Sequence, residues 1–131
     1  MVHRSLLTIL AVLALGFTVE ASISAVNLQV GDSYLIRNAE NGAEALVRSI
    51  YGDKQTMAIS GPNKGKWISE SGKTVDSSNF QLFQNGSVLL KSARRIDSGT
   101  YQKYPNPIIR IGDIGYAPPV LIIAVKDGYD Y

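Results

Sequence analysis

The chain has 131 residues, with 13 Lys and Arg against 11 Asp and Glu, one His and no Cys. That length suits one domain. The near balance of charge is no nucleic-acid signature, because phosphate-binding domains gather Lys and Arg on one face or in runs, and here the only adjacent basic pair past the N-terminus is Arg94-Arg95.

The N-terminus reads as a secretory signal peptide over residues 1–21: a basic "MVHR", an apolar run from Ser5 to Phe17, and a cut after Ala21. Glu20 closes the run before the roughly 20 apolar residues that a membrane span requires. "APPVLIIAV", from Ala117 to Val125, opens on prolines and suits a buried strand, so no membrane span is expected in the mature chain. Cleavage removes Arg4 from the bases and Glu20 from the acids, which leaves the net charge at +2. It also removes His3, the sole histidine. Ser-His-Asp and Cys-His nucleophiles are thereby excluded, as are zinc sites built on imidazole or thiolate. About 110 residues remain, near the size at which secreted domains commonly lean on disulfides worth roughly 2–4 kcal/mol each.

Past residue 21 there is no helical periodicity and no internal repeat. Turn residues separate short β-rich stretches: 28–37, 44–51, 54–60, 66–70, 79–84, 87–93, 100–104 and 119–125. Their spacing predicts an all-β antiparallel sandwich or barrel. Asn85-Gly86 between "FQLFQ" and "SVLLK" predicts a hairpin with a type I′ turn, in which both central residues need positive φ. Asn85-Gly86-Ser87 is also an N-glycosylation acceptor in a secreted chain.

At Asp97-Ser98-Gly99-Thr100-Tyr101 the sequence resembles the tyrosine corner of the immunoglobulin-like domain family, in particular its intermediate set. "NFQLFQNGSVLLKSARRI" before it resembles the D strand, turn and E strand of that family, and "KWISESGKTV" the C strand with Trp67 as core tryptophan. The resemblance implies an immunoglobulin-like antiparallel β-sandwich with Greek-key connections over 43–126. A signal-peptide helix and an arm over 22–42 with an edge strand would precede it, and a tail over 127–131 would follow. It implies structural roles for Asp97, Gly99, Tyr101 and Trp67, and it sets Lys103 at one of the two cysteine positions. For the other, "GDKQTMAIS" as strand B gives Ile59, whereas "VGDSYLIRN" gives Asn38; the shorter connection to Trp67 favours Ile59. Packing then stands in for the covalent staple of a single-domain secreted form.

Function follows from that resemblance as an expectation: a non-enzymatic extracellular binding module for a cell-surface or extracellular protein, with no cofactor and no metal, of the kind used in cell adhesion. The carboxylates Asp32, Glu40, Glu44, Asp53, Glu70, Asp76 and Asp113 are scattered over strand ends and loops and read as solvated surface. The proline-rich stretch 104–119 takes the place of the F–G turn and reads as a long loop, with Ile108, Ile109, Ile111 and Tyr116 as candidate partner contacts. The alternative reading is a secreted inhibitor or structural extracellular component acting through that loop. Open edges at 28–37 or 120–125 would also permit a weak homodimer by sheet extension.

Overall fold

The structure is a computed structural model that describes residues 18–107 and 109–127, with the backbone alone for 18–22, 109–111 and 116–118. Most of the expected signal peptide, Ile108 and the last four residues lie outside it. Alternation of inward apolar with outward polar residues makes strands of nearly all the β-rich stretches. They are β1 (Thr18–Gln29), β2 (Tyr34–Ile36), β3 (Ala45–Ile50), β4 (Asp53–Ala58), β5 (Trp67–Ser69), β6 (Thr74–Val75), β7 (Phe80–Leu82), β8 (Val88–Leu90), β9 (Gly99–Tyr104), β10 (Ile109–Ile111) and β11 (Ile114–Lys126). A 3-10 turn at Arg95–Asp97 precedes β9.

The strands form two sheets: a large one in the order β1-β11-β9-β3-β4-β5-β6, with β10 also paired to β11, and a small one in the order β2-β8-β7. β1 runs parallel to β11, while the other pairs are antiparallel. With β2, β8 and β7 as strands B, E and D, and β11, β9 and β3 as G, F and C, this is an immunoglobulin-like β-sandwich. β4 and β5 extend its larger sheet in the manner of C′ and C″ in variable-type domains.

That assignment changes which residues face each other. Strand B is β2, not 54–60, and the segment expected as an arm supplies strands to both sheets. Strand C is β3, so Trp67 sits in β5, next to the edge of the large sheet. Ile59 directly follows β4, its N–H donating to Glu44 O at 3.1 Å. Lys103 lies on β9, and β3 runs between them. Two strand spacings, about 10 Å, separate the two positions within one sheet, beyond the Cα reach of a disulfide. The shorter B–C connection misled because two whole strands, β3 and β4, intervene between strand B and Trp67.

Two turns also differ from expectation. A two-residue hairpin turn with positive φ at both positions is instead found at Tyr51-Gly52, at 45° and 76°, joining β3 to β4. The Tyr51 hydroxyl donates to Arg95 O at 3.1 Å, which helps to hold a tyrosine in a conformation that L-residues disfavour. At Asn85-Gly86 only Gly86 has positive φ, 92°, within the longer loop 83–87. The stretch 104–119 is not an open loop throughout: Ile109–Ile111 pair with Ile114–Tyr116 around a turn at Gly112-Asp113. β11, expected as a possible open edge, is covered by β1 on one side and β9 on the other.

Between the sheets lie Ile36, Phe80, Val88 and Leu90 from the small sheet and Leu46, Met57, Trp67, Tyr101, Leu121, Ile123 and Val125 from the large one. Trp67 meets Phe80 edge-on at 5.5 Å and Tyr101 at 6.3 Å. Gly99 lets β9 close on β3, because a Cβ there would collide with the Ser49 carbonyl and lie 2.8 Å from Ile50 Cγ2. Gly99→Ala is therefore expected to lower the unfolding free energy by about 1–3 kcal/mol in a urea titration; an unchanged midpoint would mean that the two strands do not meet so closely.

Candidate functional site

The most polar feature of the interior is built around Arg48. On β3 its side chain shares a face with Leu46 and Ile50, so strand periodicity turns a guanidinium into the core, where it is buried to 1% exposure. Its Nε donates to Gln55 Oε1 at 2.8 Å, and its Nη1 donates to Asp97 Oδ1 and to the Tyr101 hydroxyl, each at 3.2 Å. The guanidinium lies over the Trp67 ring at 4.4 Å and within 5.0 Å of Phe80, which belongs to the opposite sheet. Asp97 also accepts from the Arg94 backbone at 3.0 Å and from Arg94 Nε at 3.3 Å. The Tyr101 hydroxyl donates to Asp97 O at 2.6 Å, the bond that defines a tyrosine corner. Burial pushes the Tyr101 phenol above its ordinary pKa, and Arg48 beside it pulls the other way.

These bonds absorb the polar groups into architecture. Gln55 also donates to Asp53 Oδ2 at 2.9 Å, so the chain of contacts runs to the surface at the end of β4. Other acids have local partners: Asp32 accepts from Gln29 N, Glu40 pairs with Arg37 at 3.1 Å, and Asp76 accepts from Ser78 N. Among the described residues, no cluster of three His, Cys, Asp or Glu forms.

Lys103 is two residues past Tyr101 on β9 and points to the same face. It lines a groove of about 400 Å3 with Tyr34, Asn38, Pro119 and Leu121, and its side chain is half-buried. This geometry suits a lysine whose stem covers apolar surface while its ammonium meets water. Asn38, just past β2, donates to Pro119 O at 3.3 Å and faces the same groove. Of the two candidates opposite Lys103, Asn38 is therefore the one the fold brings near it. Ile59 instead packs partly buried against the core. Ile109, Ile111 and Tyr116 belong to the β10–β11 hairpin, but their side chains, like all of Ile108, lie outside the description.

A surface that sequence reading missed is the outer face of the large sheet. Register aligns Ile23, Val120, Gln102, Val47, Thr56 and Ile68 in one row across β1, β11, β9, β3, β4 and β5. Beside it run Ala25, Ile122, Thr100, Ser49 and Lys54, and on its other side Tyr104, Ala45 and Ala58. Lys54 is the single charge in these rows. Ile23 is 65% exposed, Tyr104 54% and Ile122 39%, whereas Val47 and Ala45 at the middle of the rows are buried, so the exposed groups lie around them. The signal was present in the sequence as alternate residues of each strand, yet it becomes a surface only once the strand order is known.

No family model matches the chain, and no curated protein does. Solved structures similar to it include the extracellular domain of the voltage-gated sodium channel beta4 subunit, at 12% identity and TM-score 0.46, covering 84% of this chain and 90% of that one. CD84 is similar at 10% identity and TM-score 0.45, covering 81% and 99%. The V domain of amphioxus IgVJ-C2 is similar at 17% identity and TM-score 0.37, covering 77% and 99%.

Two outcomes test the Arg48 cluster. Arg48→Met keeps the volume but leaves the Asp97 carboxylate and Gln55 short of a partner, and is expected to cost about 3–5 kcal/mol in chemical denaturation. Near-wild-type stability would place Arg48 outside the core. Tyr101, with its pKa raised on folding, contributes stability that is complete below about pH 10 and is lost as pH rises through the folded value. Stability should therefore fall on the alkaline side of pH 10, and Tyr101→Phe, less stable at neutral pH, should show a shallower fall.

Proposed function

We propose that the chain is a secreted, non-enzymatic binding module that recognises an extracellular or cell-surface protein through the outer face of its large sheet. The observation that carries this reading is the nearly uncharged row from Ile23 to Ile68 with Ile122 and Tyr104 exposed beside it. Depletion of charge with aromatic and aliphatic anchors is the composition of an interface centre, and Thr56 and Thr100 supply hydrogen-bonding groups among them, while Gln102 Oε1 accepts from Asn106 within the chain. A face several strands wide offers area for a protein surface rather than a concave site for a small substrate.

Secretion rests on the signal-like segment 1–21. Cleavage after Ala21 leaves the parallel pairing of β1 with β11 intact from Ile23 opposite Val120 to Gln29 opposite Lys126. The mature chain therefore retains both the edge strand and the face that Ile23 contributes to.

The test is expression of the full chain, tagged at its C-terminus, in a secreting eukaryotic cell. Medium protein beginning at Ser22 is expected, and proximity labelling should capture a cell-surface ectodomain or matrix protein. Ile122→Lys and Tyr104→Ala, both at exposed positions, are each expected to weaken binding to the captured partner at least about 30-fold, as loss of an interface anchor does. Binding that survives both substitutions, with folding intact, would remove this face from the reading.

A further inference from the structure

The outer face of the small sheet carries a second apolar surface, and it lies beside the glycosylation acceptor. Leu35 on β2 pairs with Leu89 on β8. Both point away from the core, which takes their neighbours Ile36, Val88 and Leu90. With Phe83, Gln84, Asn85 and Ser87 they line an open groove of about 540 Å3. Leu35 is 40% exposed and Phe83 37%. We propose that Asn85 carries an N-linked glycan whose first sugar ring packs on Phe83 and covers this groove. The proposal rests on the secreted reading above, since only a chain entering the secretory pathway meets the transferring enzyme.

Loop geometry brings the aromatic ring and the acceptor to one place. Phe83 N donates to Ser87 O at 2.8 Å and Gly86 N to Phe83 O at 3.0 Å, closing a tight loop over 83–87. Gly86 supplies the positive φ, 92°, that returns the chain to β8, and a Cβ there would strike the Ala39 carbonyl. The turn thus sets Phe83 and Asn85, two residues apart, on the rim of the same groove.

The Asn85 amide is also oriented. Its Oδ1 accepts from Ser87 N at 3.0 Å and from Ser87 Oγ at 2.7 Å, while its Nδ2 donates to Glu40 Oε2 at 3.3 Å. Glycosylation replaces one of the two Nδ2 protons, so the other remains for Glu40. In the transfer, Nδ2 forms a bond to C1 of the first N-acetylglucosamine of a lipid-pyrophosphate-linked oligosaccharide. The C1–O bond to pyrophosphate breaks, the lipid pyrophosphate leaves, and the amide proton is lost.

An N-acetylglucosamine ring suits the groove. One of its faces presents C–H groups, which meet the electron-rich face of an aromatic ring favourably, while its hydroxyls remain in water. The groove bears no charge that would demand an ionic ligand. A glycan attached at the rim covers apolar surface at little cost in association entropy, because the covalent bond already holds it there.

The experiment uses the full tagged chain from the medium of secreting cells. Intact mass should show one glycan, lost in Asn85→Gln and in Ser87→Ala. Trimming to the single N-acetylglucosamine should leave Tm unchanged, whereas complete removal should lower it by about 4 °C. In Phe83→Ser the glycan should remain but the Tm difference should vanish, and Phe83→Tyr should keep it. Chain in the medium with Asn85 unmodified overturns the proposal and leaves secretion standing. Chain confined to the cytosol overturns both. A glycan whose stabilisation is equal in wild type and Phe83→Ser overturns the packing on Phe83.

Discussion

The buried guanidinium of Arg48 is the contact on which the interior depends, because it touches more of the fold than any apolar residue of its size could. Through it β3 meets Gln55 on β4, Asp97 in the turn before β9 and Tyr101 on β9. Its flat face lies on Trp67 from β5 and reaches Phe80 across the sandwich. A disulfide would join one residue of each sheet. Here a planar cation between aromatic rings joins the sheets, and its hydrogen bonds fix the corner. Energetically the two devices differ. A disulfide acts largely on the unfolded chain, whereas a buried ion pair loses in desolvation much of what it gains in attraction. The cluster is better understood as fixing one arrangement of β3, β4 and β9, with the apolar core around it supplying most of the stability.

How far this was legible in the sequence differs from residue to residue. Asp97, Gly99 and Tyr101 announced the corner because its geometry is local: the hydroxyl bonds to a carbonyl four residues back, and a short motif encodes it. The all-β class was legible for the same reason, since alternation and turn residues act over a few positions. Strand identity was not, because it depends on which distant strands pair. Trp67 invited placement on strand C by the analogy of a core tryptophan, yet β3 holds that position and contributes Arg48 instead. The tryptophan reaches the same interior from β5 and packs against the guanidinium. One clue lay in "ALVRSI", where Arg48 falls in phase with Leu46 and Ile50. A charge in phase with inward apolar residues is either a register error or a buried network, and the sequence alone does not distinguish them.

Lys103 shows how the same fold tolerates a charge at an inward-facing strand position. It is near the end of β9, where the sheets part and a solvent-open groove begins, so the ammonium need not be desolvated. Arg48 is one strand away and more deeply placed, and it needs several acceptors and a bed of aromatic rings. The contrast follows from depth: near the open edge water solvates the charge, whereas at the centre the protein must. An arginine suits the second task, since its fork offers several donors in one plane and its faces stack on rings.

The two outward faces pose opposite problems with similar residues. On the large sheet the exposed side chains Ile23, Ile122 and Tyr104 are spread over rows spanning several strands, around the buried Val47 and Ala45. On the small sheet Leu35, Leu89 and Phe83 converge in a groove at the end of a hairpin. Area decides what each can hold. Under the reading proposed above, the broad sheet face is the one wide enough for a protein partner, whereas a groove bounded by three short strands suits a single sugar ring. Strand length separates the two faces: β11 has 13 residues and β9, β3 and β4 six each, whereas β2, β8 and β7 have three each and do little more than close the core beneath them.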